Sequence, residues 1–409
     1  MPTIPSPMRR IVLRVFAGVL FVCLYLALAS GRAEAYPHFQ FSSGTNRCSQ
    51  CHYSPAGGGL ITSWGRDESG DTLSLGGDGA FLHGAWSPPS WLALGADFRL
   101  AGTWNDVGGD QSPQTAFFPM QADLYARVAF NDSVSFYVSG GAHGEVRPKE
   151  GTATTSAGTF SEDFGSVGDR FMSREHYLMW RPSATGPYAR IGKFYAPYGL
   201  RFVEHIFYVR RFTGYNLYNE TYNLSGGYVA DEWELHLTAF TPPPSGFPDQ
   251  LQSVGLRENG VAIYYERRFN GMSALAAQTR LGIGQEASHY QGGLVGKLWL
   301  EKAKMLVLGE ADIVRTEVAA ASAGETGFVS YIGPTFFPIR GLMVTGAYER
   351  YQEDLSVKGT GRNAFDLEVN FFPWAHFEFV LLGRYQMIGT GAPDATSASL
   401  IMGQLHYYL

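Results

Sequence analysis

The chain has 409 residues, of which 45% are hydrophobic and only 17% charged, with 50 Gly, 14% aromatics, three Cys and a formal charge of -6. Low charge and abundant Gly and aromatics disfavour a long-helix protein, and the apolar content is too high for a disordered chain. After residue 35 no run of about 20 apolar residues exists, which excludes a multi-span helical membrane protein. The acidic balance and the absence of a basic run speak against nucleic-acid binding.

The first element in chain order is a secretory signal over residues 1–35. Arg9, Arg10 and Arg14 precede an apolar stretch from Val15 to Ala29, and Ala33-Glu34-Ala35 supplies the small-residue cleavage box. A membrane anchor is the competing reading of that stretch. Cleavage after Ala35 removes Cys23 and leaves an exported, acidic chain with Cys48 and Cys51 alone, too few for a disulfide-built scaffold.

Residues 36–90 are rich in Gly, Ser, Asp and Pro and carry no lasting periodicity. Within them Cys48-Ser49-Gln50-Cys51-His52 spells C-x-x-C-H, the attachment sequence for c-type haem. Two thiols at this spacing add across the two vinyl groups of one porphyrin, and the adjacent imidazole of His52 is the proximal iron ligand through Nε2. A bare disulfide would need no His, a zinc site would need two further ligands, and a thioredoxin-like pair would need a βαβ context. For the opposite face of the iron the sequence offers His38 and His83, with Met120 farther along; bis-His and His/Met ligation differ chiefly in potential. Gly57-Gly58-Gly59 lacks the Lys-Ser/Thr of a phosphate loop and reads as backbone that passes close to a porphyrin. Asp67, Glu68, Asp71 and Asp78 do not have the spacing of an EF-hand and read as a solvated acidic turn.

From Trp91 to Leu409 the pattern changes to period two, that of strands with one face in each environment. Ala122, Leu124, Ala126, Val128 and Phe130 oppose Gln121, Asp123, Tyr125 and Arg127. Leu235 and Leu237 oppose Glu234, His236 and Thr238, and Phe365, Leu367, Val369 and Phe371 oppose Ala364, Asp366, Glu368 and Asn370. Short connections at 131–132, 183–186, 231–232, 270–271, 302–304, 339–341 and 374–375 alternate with longer ones near 105–116, 147–168, 196–223, 243–257, 284–288, 318–326, 354–362 and 389–397. The expectation is an all-β, antiparallel transmembrane β-barrel of about sixteen strands over 91–409, with short periplasmic turns, long external loops and both chain ends on the short-turn side. Phe371-Phe372 and Tyr407-Tyr408 would belong to interfacial girdles. Arg127, Glu234, Asp366, Glu368, Glu378 and Arg384 would line a polar lumen. A secreted β-sandwich is the competing fold, but no linker divides the stretch.

On these residues the chain resembles the fused monohaem cytochrome c–porins of bacterial outer membranes, iron-oxidising cytochromes among them. The resemblance rests on Pro37 and Phe39, on CSQCH at 48–52 and on Trp64-Gly65-Arg66, where the family has an aromatic-Gly-Arg step. Arg190-Ile191-Gly192-Lys193-Phe194, with Pro197-Tyr198-Gly199-Leu200, is similar to a segment of phosphate-selective-type porins, and the Tyr407-Tyr408-Leu409 end is similar to the strand read by barrel-assembly machinery. The chain departs from the cytochrome pattern in Ser54–Leu60 and in the acidic turn from Asp67 to Asp71. The resemblance implies one covalent haem c in 36–90, at the periplasmic entrance or inside the barrel. It also implies one-electron transfer between a periplasmic cytochrome and an external metal ion or other redox donor. A passive or gated porin with a haem-bearing plug, and a redox enzyme with an open haem position, are the alternatives.

Overall fold

A computed structural model describes residues 47–108, 112–143, 171–216, 219–243, 257–269, 273–318, 324–393 and 395–409. The signal segment 1–35, His38, Pro37, Phe39, the 147–168 connection and the 270–271 turn lie outside these residues. So does most of the 243–257 connection.

Sixteen antiparallel strands close into one barrel in strict chain order, β1 pairing with both β2 and β16. They are β1 (Leu92–Asp106), β2 (Gln114–Ala129), β3 (Val134–His143), β4 (Phe171–Trp180), β5 (Gly186–Phe194), β6 (Thr221–Val229), β7 (Trp233–Thr241), β8 (Glu258–Phe269), β9 (Ser273–Gly284), β10 (Ala287–Leu300), β11 (Met305–Val318), β12 (Glu325–Ile339), β13 (Leu342–Gln352), β14 (Gly361–Trp374), β15 (Phe377–Thr390) and β16 (Thr396–Tyr408). Closure pairs Asp97 with Tyr408 and runs to Asp106 with Ser399, so no sheet edge is left unpaired. The strand count and the described short turns agree with the sequence reading, whereas the expected long connection near 284–288 is a two-residue turn between Gly284 and Ala287.

The alternation decides which way each side chain faces. Leu124, Ile191, Leu224, Ile283, Leu294, Leu381 and Ile401 are all more than half exposed on the outer wall. Glu234, His236, Glu258, Glu349, Glu378 and Arg384 are buried within. Apolar outside and charged inside is the arrangement that hydrocarbon around a barrel and water within it require. Among the described residues no helix is long and apolar enough to cross a membrane.

Among the described residues, two segments enter the interior. Residues 47–85 fold as α1 (Cys48–Cys51), α2 (Ser63–Glu68), a π turn over Ser69–Leu73 and a 3-10 turn over Phe81–Gly84. Thr62 caps α2 by accepting the Gly65 N–H at 3.1 Å, and its hydroxyl donates to Gln50 O at 2.8 Å, tying α2 to α1. The crossing is so close that a Cβ on Gly65 would stand 2.5 Å from Cys51 O, so the Trp64-Gly65-Arg66 step needs glycine there. The segment is held at the short-turn end. Arg181 donates to Tyr53 O and Ser49 O (3.2 and 3.3 Å), and Arg340 donates to Ser74 O and Gly70 O. Leu75 N–H donates to Phe372 O, and Ala375 N–H to Gly76 O.

The connection between β5 and β6 departs from expectation. It was read as an external loop, yet Ala196, Tyr198, Leu200, Phe202, Phe207, Tyr208 and Val209 are buried inside the barrel. The reason is polar pairing with the wall. Leu200 N–H donates to Glu310 (2.7 Å), Tyr198 Oη to Asp312 (2.7 Å) and Tyr208 N–H to Glu349, while the rings of Phe202, Phe207 and Tyr331 meet edge-on or tilted at 4.6–5.2 Å. These bonds satisfy the buried N–H groups of Leu200 and Tyr208, which offsets part of the cost of taking the loop out of water as its apolar side chains are buried.

Candidate functional site at the short-turn mouth

Cys48 and Cys51 stand one helical turn apart, so both thiols share one side of α1; neither is in a disulfide, and both are half-buried. His52 ends the helix in an extended conformation, its N–H donating to Cys48 O at 3.0 Å, and it forms a β-bridge with Ile61. Between them the chain doubles back over the motif. Gly57, Gly58 and Gly59 all lie in the left-handed region (φ +82°, +78° and +62°), which side chains resist. A Cβ on Gly57 would stand 3.1 Å from Cys48 Cβ, and one on Gly59 would strike Tyr137 Oη at 2.6 Å. Three glycines are therefore what allows this loop to lie flat between α1 and the wall of β3.

Burial governs the electrostatics. The His52 imidazole is held down to about 4 by burial, so the ring is neutral at pH 7 and able to ligate. Its Nδ1 is shut off from solvent without a hydrogen-bond partner. Burial, with Cys48 and Glu68 nearby, pushes the Cys51 thiol up to about 12.

Two cavities flank the Gly58-Gly59 strip. One, of ≈ 200 Å³, is walled by Cys51, His52, Leu60, Leu73 and Phe372 and bounded on its polar side by Asp97, Arg99, Glu378 and His406. The other, of ≈ 260 Å³, opens toward the lumen beside Tyr137, Glu175, Arg190 and Arg201. Arg190 Nη1 donates to Ser54 Oγ at 3.1 Å and Arg201 Nη1 to Ala56 O at 2.8 Å, fixing the returning loop against β5 and the β5–β6 connection.

The structure brings Cys48, Cys51 and His52 together and places Glu234, Asp366, Glu368, Glu378 and Arg384 inside the wall, as alternation required. Arg127 lies with its guanidinium 4.5 Å over the Tyr53 ring. Of the opposite-face candidates, His83 sits at the mouth, its ring 4.7 Å edge-on to His376 and its Nε2 3.3 Å from Tyr407 Oη, and it lines neither cavity. Met120 is the extra residue of a bulge in β2 opposite Arg99–Leu100 and lines neither cavity. His38 is outside the described residues. Among the described residues no group of three or more His, Cys, Asp or Glu could hold a metal ion.

The sequence reading missed His406, Asp97 and Arg99 as neighbours of the motif. Alternation marks each as inward, but only the β1–β16 pairing, Arg99 opposite His406, carries them to the mouth.

No protein-family model matches the chain, and no curated protein matches it. Solved structures do. The anion-selective porin of Comamonas acidovorans superposes with a TM-score of 0.57 at 8% identity, covering 78% of this chain and 99% of that one. A loop L8 deletion mutant of OmpT from Vibrio cholerae gives 0.55 at 13%, covering 78% and 99%. OprB of Pseudomonas putida gives 0.55 at 10%, covering 78% and 94%. At these identities the likeness is one of fold: the chain is a sixteen-stranded barrel of the type seen in bacterial outer-membrane porins.

Proposed function

We propose that the chain is an outer-membrane barrel carrying one covalent haem c on Cys48, Cys51 and His52. In this reading it passes single electrons between a periplasmic redox protein and a donor or acceptor on the outer side. The observation that carries the reading is the placement of C-x-x-C-H. Cys51 and His52 border a cavity at the barrel mouth, Cys48 stands one helical turn before Cys51, neither cysteine is in a disulfide, and the covering loop has glycine at 57 and 59, where a Cβ would press on Cys48 and Tyr137.

These residues fit the group. Haem, when bound, supplies a one-electron ferric/ferrous couple. Cys48 and Cys51 would tether the group and His52 would ligate it through Nε2, while Leu60, Leu73 and Phe372 exclude water from the apolar side of the cavity. The segment 47–85 and the β5–β6 connection both stand in the lumen, so the reading favours passage of electrons over free diffusion of solute. The outer-membrane location is supported by the porin fold and by the apolar outer wall.

The test is the mass of the mature protein from a host with cytochrome maturation. One added haem that survives denaturation is expected, and a bare polypeptide mass would end the reading. A second reading, a porin with a plug at its mouth, draws on the fold likeness. It predicts steady ion conductance in planar bilayers that is indifferent to the oxidation state of the protein.

A further inference from the structure

Both the polar wall of the His52 cavity and the seam of the barrel are built around one histidine. His406 on β16 is 6% exposed. Its Nδ1 hydrogen-bonds to Glu378 Oε2 of β15 at 2.7 Å, and its Nε2 lies 3.0 Å from Asp97 Oδ1 of β1. His406 thus stands between carboxylates of the two strands beside it, so each ring nitrogen faces an acid that can accept an N–H. All three residues line the cavity that also holds Cys51 and His52.

The remaining groups around the set come from every neighbouring element. Arg99 of β1 binds Asp97 through Nε at 2.9 Å, Tyr125 of β2 reaches Asp97 Oδ2 at 3.5 Å, and Asn370 of β14 donates to Glu378 Oε1 at 3.1 Å and to Glu368 at 2.9 Å. Tyr408 on the same strand has its ring 5.3 Å from that of His406. Glu204, from the β5–β6 connection, acts electrostatically on both Glu378 and Arg99, and Glu68 of α2 borders the cavity. His406 is the member whose charge can change while both carboxylates keep a partner: Arg99 for Asp97 and Asn370 for Glu378.

We propose that the Asp97–His406–Glu378 set couples electron transfer at the adjoining Cys48–Cys51–His52 site to binding of one proton. The proposal rests on the function proposed above. When that site gains one electron from its periplasmic partner, His406 takes one proton from water at the short-turn mouth; when the electron leaves, the proton returns. One negative and one positive charge thus enter or leave the cavity together, which limits the uncompensated charge in a poorly hydrated space.

The experiment is a spectroelectrochemical titration of the purified full-length holoprotein in detergent from pH 5 to 9. The wild type is expected to show a midpoint potential that falls as pH rises, and H406Q a potential that is flat over the same range with the haem spectrum retained. Equal slopes in the two proteins, or no slope in the wild type, overturn the proposal. Should H406Q fail to assemble, E378Q takes its place. Removing one carboxylate weakens the hold on the ring proton, so the sloping region is expected to move to lower pH, and an unmoved slope overturns the proposal. A merely structural role at the seam would lower barrel stability without changing either slope. A protein of bare polypeptide mass overturns the underlying function, and this proposal with it; a loaded protein with unchanged slopes overturns only the coupling.

Discussion

The barrel wall and the segment inside its mouth are built on opposite plans. The wall, 92–408, repeats one local rule sixteen times: apolar out, polar in, reverse at a turn. The segment 47–85 repeats nothing. Its four short helical pieces are held by arginines, backbone donors and turns of the wall, as with Arg181, Arg340 and Phe372. The comparison teaches that a repetitive wall can be made stable by strand pairing alone. A small irregular segment with a chemical task must borrow its rigidity from that wall.

Removing the thiols should separate the two regions most sharply. The double variant C48A/C51A is expected to lose the added mass completely while the barrel still shifts on gels when heated. Loss of heat-modifiability together with the mass would mean that the segment is part of the wall's own folding. Next in size, R181A/R340A should free the segment from the mouth and raise single-channel conductance in planar bilayers several-fold. Unchanged conductance would place the obstruction in the β5–β6 connection instead.

Within the wall, position relative to hydrocarbon should outweigh chemistry. Leu124→Arg, on the outer face, is expected to cost about 2–4 kcal/mol in folding into vesicles if it lies near the midplane. Gln121→Arg, an odd number of residues away on the inner face, should cost far less. Equal costs would contradict the facing of β2.

The smallest effect concerns Cys51 in protein made without cytochrome maturation. Its thiol is raised to about 12, so the thiolate is scarce below that pH and appears as pH rises through it. Alkylation of Cys51, read by peptide mass, should climb only well above the ordinary thiol range near about 8.5. A half-rise near that ordinary range would show that the thiol is not buried against the wall.

Much of the wall was legible residue by residue. Leu235 and Leu237 against Glu234 and His236 declare a two-faced strand within nine residues, and Asp231-Glu232 declares the turn before it, because period and turn chemistry are local properties. The motif Cys48–His52 was legible for the same reason: its spacing is set by one helical turn. The β5–β6 connection was not, since Phe202, Phe207 and Tyr208 follow no period, and their burial depends on Glu310 and Glu349, more than a hundred residues away. The neighbours of His52 were equally hidden. His406 meets Asp97 and Glu378 only because the last strand closes on the first, in a register that no local stretch encodes.

By itself, then, the order of residues determined strand number, facing, turn positions and the spacing of two thiols and an imidazole, all of which are settled by interactions within a turn or a hairpin. Only the tertiary structure decided that residues 47–85 sit inside the mouth and that the β5–β6 connection folds into the lumen. It also decided that a carboxylate-bound histidine borders the cavity beside His52. Closing a barrel brings chain ends and distant loops into one small interior, and each unpaired donor or carboxylate there must find a partner wherever closure puts it.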